Sequence, residues 1–219
     1  MNRTVLTPPG YLVVEGPIGV GKTSLVNRLA NSFNGELLLE KPDENPFLER
    51  FYQDSRKSAF PTQLFFLFQR SQQLQELRNR DLFRSSLVAD FMLEKDRIFA
   101  GLNLDKDELE LYEKVYSRLN PEAPEPDLVV YLQAPAEVLQ RRVRGRSKPH
   151  ETSLGLDYLQ RLSDAYAEFF HHYNSSPLLI INAAEINPVE REEDYQLLLE
   201  RICSVRSGKH YFNPGPLLL

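Results

Sequence analysis

Five short apolar runs recur along the chain, each bounded by polar or turn residues: Tyr11–Glu15, Leu37–Leu39, Leu87–Ala89, Leu128–Leu132 and Leu178–Ile181. Their apolar residues follow one another without polar alternation. Strands covered on both faces read this way, so the runs predict a parallel sheet with helices on either side. Between them the pattern changes to a helical period. Leu25, Val26, Leu29, Ala30 and Phe33 put an apolar stripe on Lys22–Phe33. Further helices are expected over Pro46–Gln53, Pro61–Arg80, Phe91–Ala100, Lys106–Leu119, Ala136–Gly145, Gly155–Tyr173 and Pro188–Ser204. The last carries start signals: Asn187 as cap, Pro188 at the first helical position, and Glu190, Glu192 and Glu193 near the positive end of the dipole.

Strand followed by helix, repeated over 219 residues, fits one doubly wound α/β domain spanning 1–219. Pro121–Pro126 is too short for a linker and reads as a loop, and residues 1–10 read as a flexible tail. That tail lacks the apolar centre of a signal peptide, and no run approaches the ~20 apolar residues a membrane span needs. No membrane partner is expected. Cys203 is the only cysteine, which leaves no internal disulfide and points to a reducing cytoplasm. The net charge of −5 argues against coating a nucleic-acid polymer, while leaving room for a small basic pocket.

The chemistry is concentrated after the first strand. Gly16-Pro17-Ile18-Gly19-Val20-Gly21-Lys22-Thr23 satisfies G-x-x-x-x-G-K-[ST] between a predicted strand and a predicted helix. Its glycines let backbone N–H groups turn toward phosphate oxygens, and the helix N-terminus adds the positive end of a dipole. Lys22 brings a point charge to the β- and γ-phosphates, Thr23 can ligate Mg²⁺, and Ser24 follows in the first helical turn. The expected fold is therefore that of P-loop NTPases, with a five-stranded parallel sheet.

Two branches of that fold are excluded. No Asp has Gly three positions on, no Asn-Lys pair exists, and there is no L-S-G-G-Q segment. The GTPase and transporter signatures are thus absent, and small-substrate kinases remain. These need an arginine-rich lid. Arg141, Arg142, Arg144, Arg146 and Lys148 follow the fourth strand, with the lid expected at about 144–153. Arginine suits phosphate because its planar fork binds oxygens in pairs.

With these motifs in place the sequence resembles the deoxynucleoside kinase family, the bacterial members in particular, from Tyr11 to about Tyr173. The resemblance implies ATP-dependent phosphorylation of the 5′-hydroxyl of a deoxynucleoside, with Mg²⁺, in a homodimer. It assigns the catalytic base to Glu40, followed here by Lys41-Pro42. It assigns Tyr52 to the sugar 3′-hydroxyl, Gln63 to the base edge, and Arg142, Arg144 and Arg146 to the lid. Glu151 falls where the family grips the 3′-hydroxyl from the lid side. Asp90 ends the third strand as a carboxylate that could hold Mg²⁺, directly or through water. There the chain departs from the family. Members carry an arginine after that carboxylate, whereas this chain has Phe91, so Lys95 or Arg97 would have to supply the positive charge at the 5′ end.

Phe60, Phe66, Phe91 and Phe99 are candidates for a base pocket or for ordinary core packing. Two other readings fit the phosphate loop. A nucleoside-monophosphate kinase of the thymidylate kinase type would need a second basic site, for which Arg50, Arg56 and Lys57 are the candidates. A nucleotide-binding regulator that does not turn over would have no use for both Glu40 and Asp90.

Overall fold

A computed structural model describes residues 7–78, 85–119, 124–145 and 153–213. Its sheet comprises β1 (Tyr11–Glu15), β2 (Glu36–Leu38), β3 (Leu87–Ala89), β4 (Leu128–Gln133), β5 (Leu178–Asn182) and β6 (Lys209–Phe212). The order is β2-β3-β1-β4-β5-β6, and every neighbouring pair is parallel. Successive residues of β1 serve opposite layers. Tyr11 and Val13 face the apolar layer that includes Leu67, Leu74, Phe91, Tyr112 and Phe170. Leu12 and Val14 face the layer of Leu25, Leu29, Leu139, Leu198 and Ile202. Burial on both faces is the physical cause of the unbroken apolar runs.

The sixth strand corrects the expectation of five. β6 reads Lys-His-Tyr-Phe and lies at the sheet edge with exposed and half-buried positions alternating. An edge strand covered by one neighbour needs no continuous apolar run, so none marks it. β2, at the opposite edge, is likewise largely exposed.

Helices α1 (Lys22–Phe33), α2 (Leu48–Gln53), α3 (Ser55–Arg78), α4 (Lys95–Asn103), α5 (Lys106–Leu119), α6 (Ala136–Arg144), α7 (Leu156–His172) and α8 (Glu192–Ser204) cover the sheet. Three of them start well away from their expected positions. α3 begins at Ser55 and runs through Pro61. Proline removes one backbone donor there, and the turn is held instead by the Thr62 hydroxyl on Ser58 O at 2.6 Å and by the buried Ala59.

α4 begins at Lys95 rather than Phe91, because Phe91, Met92 and Leu93 all enter the core in succession, which one helix face does not allow. α8 begins at Glu192. The Asn187 side chain and carbonyl accept from the amides of Glu190 and Arg191, at 3.2 and 2.9 Å, closing a separate turn ahead of the helix. Among the described residues no helix is long and apolar enough to cross a membrane.

Candidate active site

Parallel strands all present their C-terminal ends to the same edge of the sheet, and ligands of open α/β sheets bind there. At this edge β1 continues into the phosphate loop, whose glycines are fixed by close approach. Gly16 has φ +147° and Gly19 φ +87°. A Cβ on Gly16 would lie 2.3 Å from Leu132 O, and one on Gly19 would lie 2.8 Å from both Leu139 O and Val143 Cγ2. The loop is thus pressed against β4 and α6, while Val20 is 3 % exposed and anchors it in the core.

The Lys22 ammonium folds back over the loop and donates to Gly16 O at 2.6 Å and Pro17 O at 3.2 Å. Burial, and then the charge of Lys95, lower its pKa to about 8. It is a cation held by carbonyl oxygens, a weak substitute for phosphate.

Three carboxylates converge beside this loop, and each closes a strand. Asp90 follows β3 directly; it accepts the Thr23 hydroxyl at 2.9 Å and the Glu40 backbone N–H at 2.8 Å. Glu40 lies two residues beyond β2. Arg70 of α3 donates to its Oε1, and Lys95 of α4 donates to its Oε2 at 2.9 Å. Burial raises the Glu40 pKa, but these two charges outweigh it and hold the carboxyl well below the usual range.

Glu15, the last residue of β1, is fully buried. It accepts the N–H groups of Gly16 and Met92 at 3.0 and 2.9 Å, and the Tyr166 hydroxyl at 3.1 Å. It ties the loop's first residue to the segment after β3 and to α7. Burial raises its pKa against the nearby charges of Lys95 and Lys22.

A cleft of about 1040 Å³ opens over these groups. Gly19, Gly21, Lys22, Thr23 and Ser24 of the loop line it, together with Glu40, Tyr52, Gln63, Phe66, Arg70 and Lys95. Gln63 is 3 % exposed, and its Oε1 has no hydrogen-bond partner. An unpaired buried acceptor is costly on its own and marks where a ligand donor would sit. Arg70, also 3 % exposed, bridges two carboxylates: its other donor goes to Asp96 of α4, which is fully buried behind it. The Arg70 guanidinium lies 4.9 Å over the Phe66 ring.

The expected site residues divide into three groups. Gly16, Ile18, Gly19, Gly21, Lys22, Thr23, Ser24, Glu40, Tyr52, Gln63 and Asp90 gather along this cleft and its loop, with Pro17 contributing its carbonyl and Val20 its anchor. Of the phenylalanines, Phe66 and Phe99 line it, whereas Phe91 is core.

Two arginines are placed elsewhere. Arg97 pairs with Glu113 at 2.6 Å and stacks on Tyr116 at 4.2 Å, on the exposed side of α4, so it does not supply the 5′ charge. Helical geometry decides this, because Lys95 and Arg97 are two residues apart and point to different faces. Arg142 donates to Val20 O and Ala183 O at 3.0 and 2.8 Å, which ties α6 to the phosphate loop. Arg144 is exposed at the end of α6. Arg146 and Glu151 lie outside the described residues.

Sequence reasoning missed Arg70, Asp96 and Glu15, and left Lys95 as one of two options. A usable signal existed for Glu15, a charge closing an apolar run. Arg70 and Asp96 look like ordinary helix-surface charges until the fold buries them.

The family model for deoxynucleoside kinases matches residues 12–205. A deoxyguanosine kinase of Bacillus subtilis (strain 168) is 32 % identical over 157 residues, covering 71 % of this chain and 76 % of the relative. A deoxyadenosine/deoxycytidine kinase of the same organism is 27 % identical over 204 residues, covering 89 % of this chain and 92 % of the relative. The solved structure of a deoxyadenosine kinase from M. mycoides, with products dCMP and dCDP bound, superposes with a TM-score of 0.78 at 25 % identity, covering 89 % of this chain and 99 % of that one. The chain belongs to the deoxynucleoside kinase family, and its reaction is phosphoryl transfer to the 5′-hydroxyl of a deoxynucleoside.

Proposed function

We propose that ATP is the donor, that Glu40 is the general base, and that the phosphate loop and the Gln63 end of the cleft hold the two substrates on either side of it. The placement of Glu40 carries this reading: a carboxylate in the same cleft as Lys22 and Thr23, lined also by Gln63 with its unpaired amide oxygen.

The chemistry balances with these groups. The 5′-oxygen bonds to the γ-phosphorus, the bond from that phosphorus to the bridging oxygen breaks, and ADP leaves. The hydroxyl proton passes to Glu40, which must lie within hydrogen-bond reach of it. Lys22 and Lys95 place positive charge around the transferring group, where charge spreads over the equatorial oxygens. Tyr52 meets the sugar, and Gln63 meets the base edge. Arg144, Arg146 and Glu151 belong to the lid at about 144–153, which closes over the phosphates and the 3′-hydroxyl and excludes water.

Thr23 and Asp90 fit Mg²⁺. They are two hard oxygen donors already in contact beside the phosphate loop, and this ion takes few protein ligands where substrate phosphates supply the rest. When bound, it adds positive charge to the phosphate oxygens.

One sheet shared by two apolar layers supports a single kinase domain. Exposed Phe68 on α3 and Leu111 on α5 support pairing of two subunits, and the buried, unpaired Cys203 supports a reducing cytoplasm. Incubation with Mg²⁺-ATP and each of the four deoxynucleosides, with products read by phosphorus NMR, tests the reaction. At least one 5′-monophosphate should form. ADP production without a phosphorylated nucleoside would contradict it.

A further inference from the structure

Both oxygens of Glu40 are engaged by cations, Oε1 by Arg70 and Oε2 by Lys95. A carboxylate so held is a poor base, because the paired charges favour its ionised form. If Glu40 is the general base, as proposed above, withdrawal of one cation when substrate arrives makes it a better acceptor for the hydroxyl proton.

The geometry distinguishes the two. Lys95 is near enough to Lys22 of the phosphate loop for its charge to act on that lysine. Arg70 lies over the Phe66 ring, on the same helix as Gln63, whose Oε1 is unpaired. Three features prepare Arg70 to move. Its Nε has no hydrogen-bond partner, so it has a donor to offer. Asp96 Oδ2 is buried and also unpartnered, while only Oδ1 takes Arg70. A guanidinium turned off Glu40 can therefore grip both oxygens of Asp96 as a fork, replacing the bond it gives up with a stronger arrangement.

We propose that Arg70 is a latch on the general base: in the empty cleft it bridges Glu40 and Asp96, and a nucleobase seated against Gln63 and Phe66 turns it onto Asp96 and frees Glu40. Arg70 is thus a positioning residue, acting through Glu40. Its consequence is that recognition of the base contributes to the rate of the chemical step and not to binding alone. A sugar lacking the base enters the cleft but meets an engaged Glu40, and ATP is not spent on it.

The test separates the two halves of the substrate. The acceptor is base-free 1,2-dideoxy-D-ribose, and adenine, cytosine or hypoxanthine is added in trans as the free nucleobase. Maximal single-turnover rates are measured at saturating Mg²⁺-ATP. With wild type, the free nucleobase that binds the cleft should raise the maximal rate on the base-free sugar by about tenfold or more, because it alters kcat rather than KM. With Arg70→Gln, the base-free sugar should be used faster than by wild type, and the nucleobase should no longer accelerate it. A gain on the poor substrate is not what a merely structural arginine would give.

The latch is refuted if a nucleobase that displaces bound deoxynucleoside leaves the wild-type rate on the sugar unchanged, or if Arg70→Gln slows both acceptors equally. Should Arg70→Gln fail to fold, the wild-type comparison decides by itself. Wild-type turnover of intact deoxynucleosides, read in the same assay, tests the proposed reaction separately.

Discussion

Lys95 places its ammonium 2.9 Å from Glu40 Oε2, in a chain that carries Phe91 where the resembled family carries an arginine. Phe91 is fully buried in the core, and α4, which follows it, brings the positive charge of Lys95 to Glu40. Burial lowers the Lys95 pKa, but Glu40 and Glu15 together more than offset this and raise it, which keeps the lysine charged. Lys95→Met should lower kcat by about 10²-fold with a smaller change in the acceptor KM, since the charge acts on the transferring group. Lys95→Arg should recover part of that loss. Steady-state kinetics on the three proteins check this, and an unchanged kcat in Lys95→Met would remove the lysine from the mechanism.

The phosphate loop gives a structural prediction. Gly19→Ala would put a methyl group 2.8 Å from Leu139 O and Val143 Cγ2 at a φ of +87°. Strain of this kind costs about 2 kcal/mol or more. Thermal unfolding should show a clear drop in Tm, and ATP should no longer raise it. Gly21→Ala is the contrast: nothing lies within 4 Å of its Cβ, so only the backbone penalty of its φ of +109° applies.

Lys22 sets a pH dependence. Its pKa is lowered to about 8, and phosphate binding favours the charged form. Below about 8 the free protein already holds the proton, so ATP binding takes up none at this site. Above it, ATP binding must carry a proton in, and affinity falls by up to about tenfold per pH unit until the pKa of the bound state is reached. Calorimetric titration at pH 9 in buffers of different ionisation enthalpy should reveal this uptake, and Lys22→Met should abolish it. Equal heats in all buffers for the wild type would contradict the assignment.

Tyr52 lines the cleft and is proposed above to meet the sugar. Deoxynucleosides should exceed 3′-deoxy analogues in kcat/KM by about ten- to a hundred-fold, the effect of leaving a buried partner unsatisfied. Tyr52→Phe should narrow that gap. Equal use of both acceptors by the wild type would sink the sugar assignment.

What the chain reveals before it is folded follows from what each residue's local context records. Continuous apolar runs announce β1, β3, β4 and β5 because burial on both faces leaves no polar position. The Gly16–Thr23 loop is legible because its spacing is set by phosphate geometry. β6 is silent because an edge strand tolerates Lys209 and His210. Arg70 and Asp96 are silent for a different reason. Each belongs to a helix that could have exposed it, and only the packing of α3 against α4 turns both inward toward Glu40. The bond from Arg142 to Val20 O is silent too, because a basic helix end reads the same whether or not it ties to a loop.

The central claim is that Glu40 takes the proton. Glu40→Gln retains the shape and can still hydrogen bond, but it cannot accept that proton. Single-turnover rates and equilibrium acceptor binding, measured on the same preparation, test it most directly. The account predicts a rate about 10²–10⁴-fold lower with acceptor affinity kept within a few-fold. A collapse in affinity with the rate unchanged would contradict it and make Glu40 a binding residue.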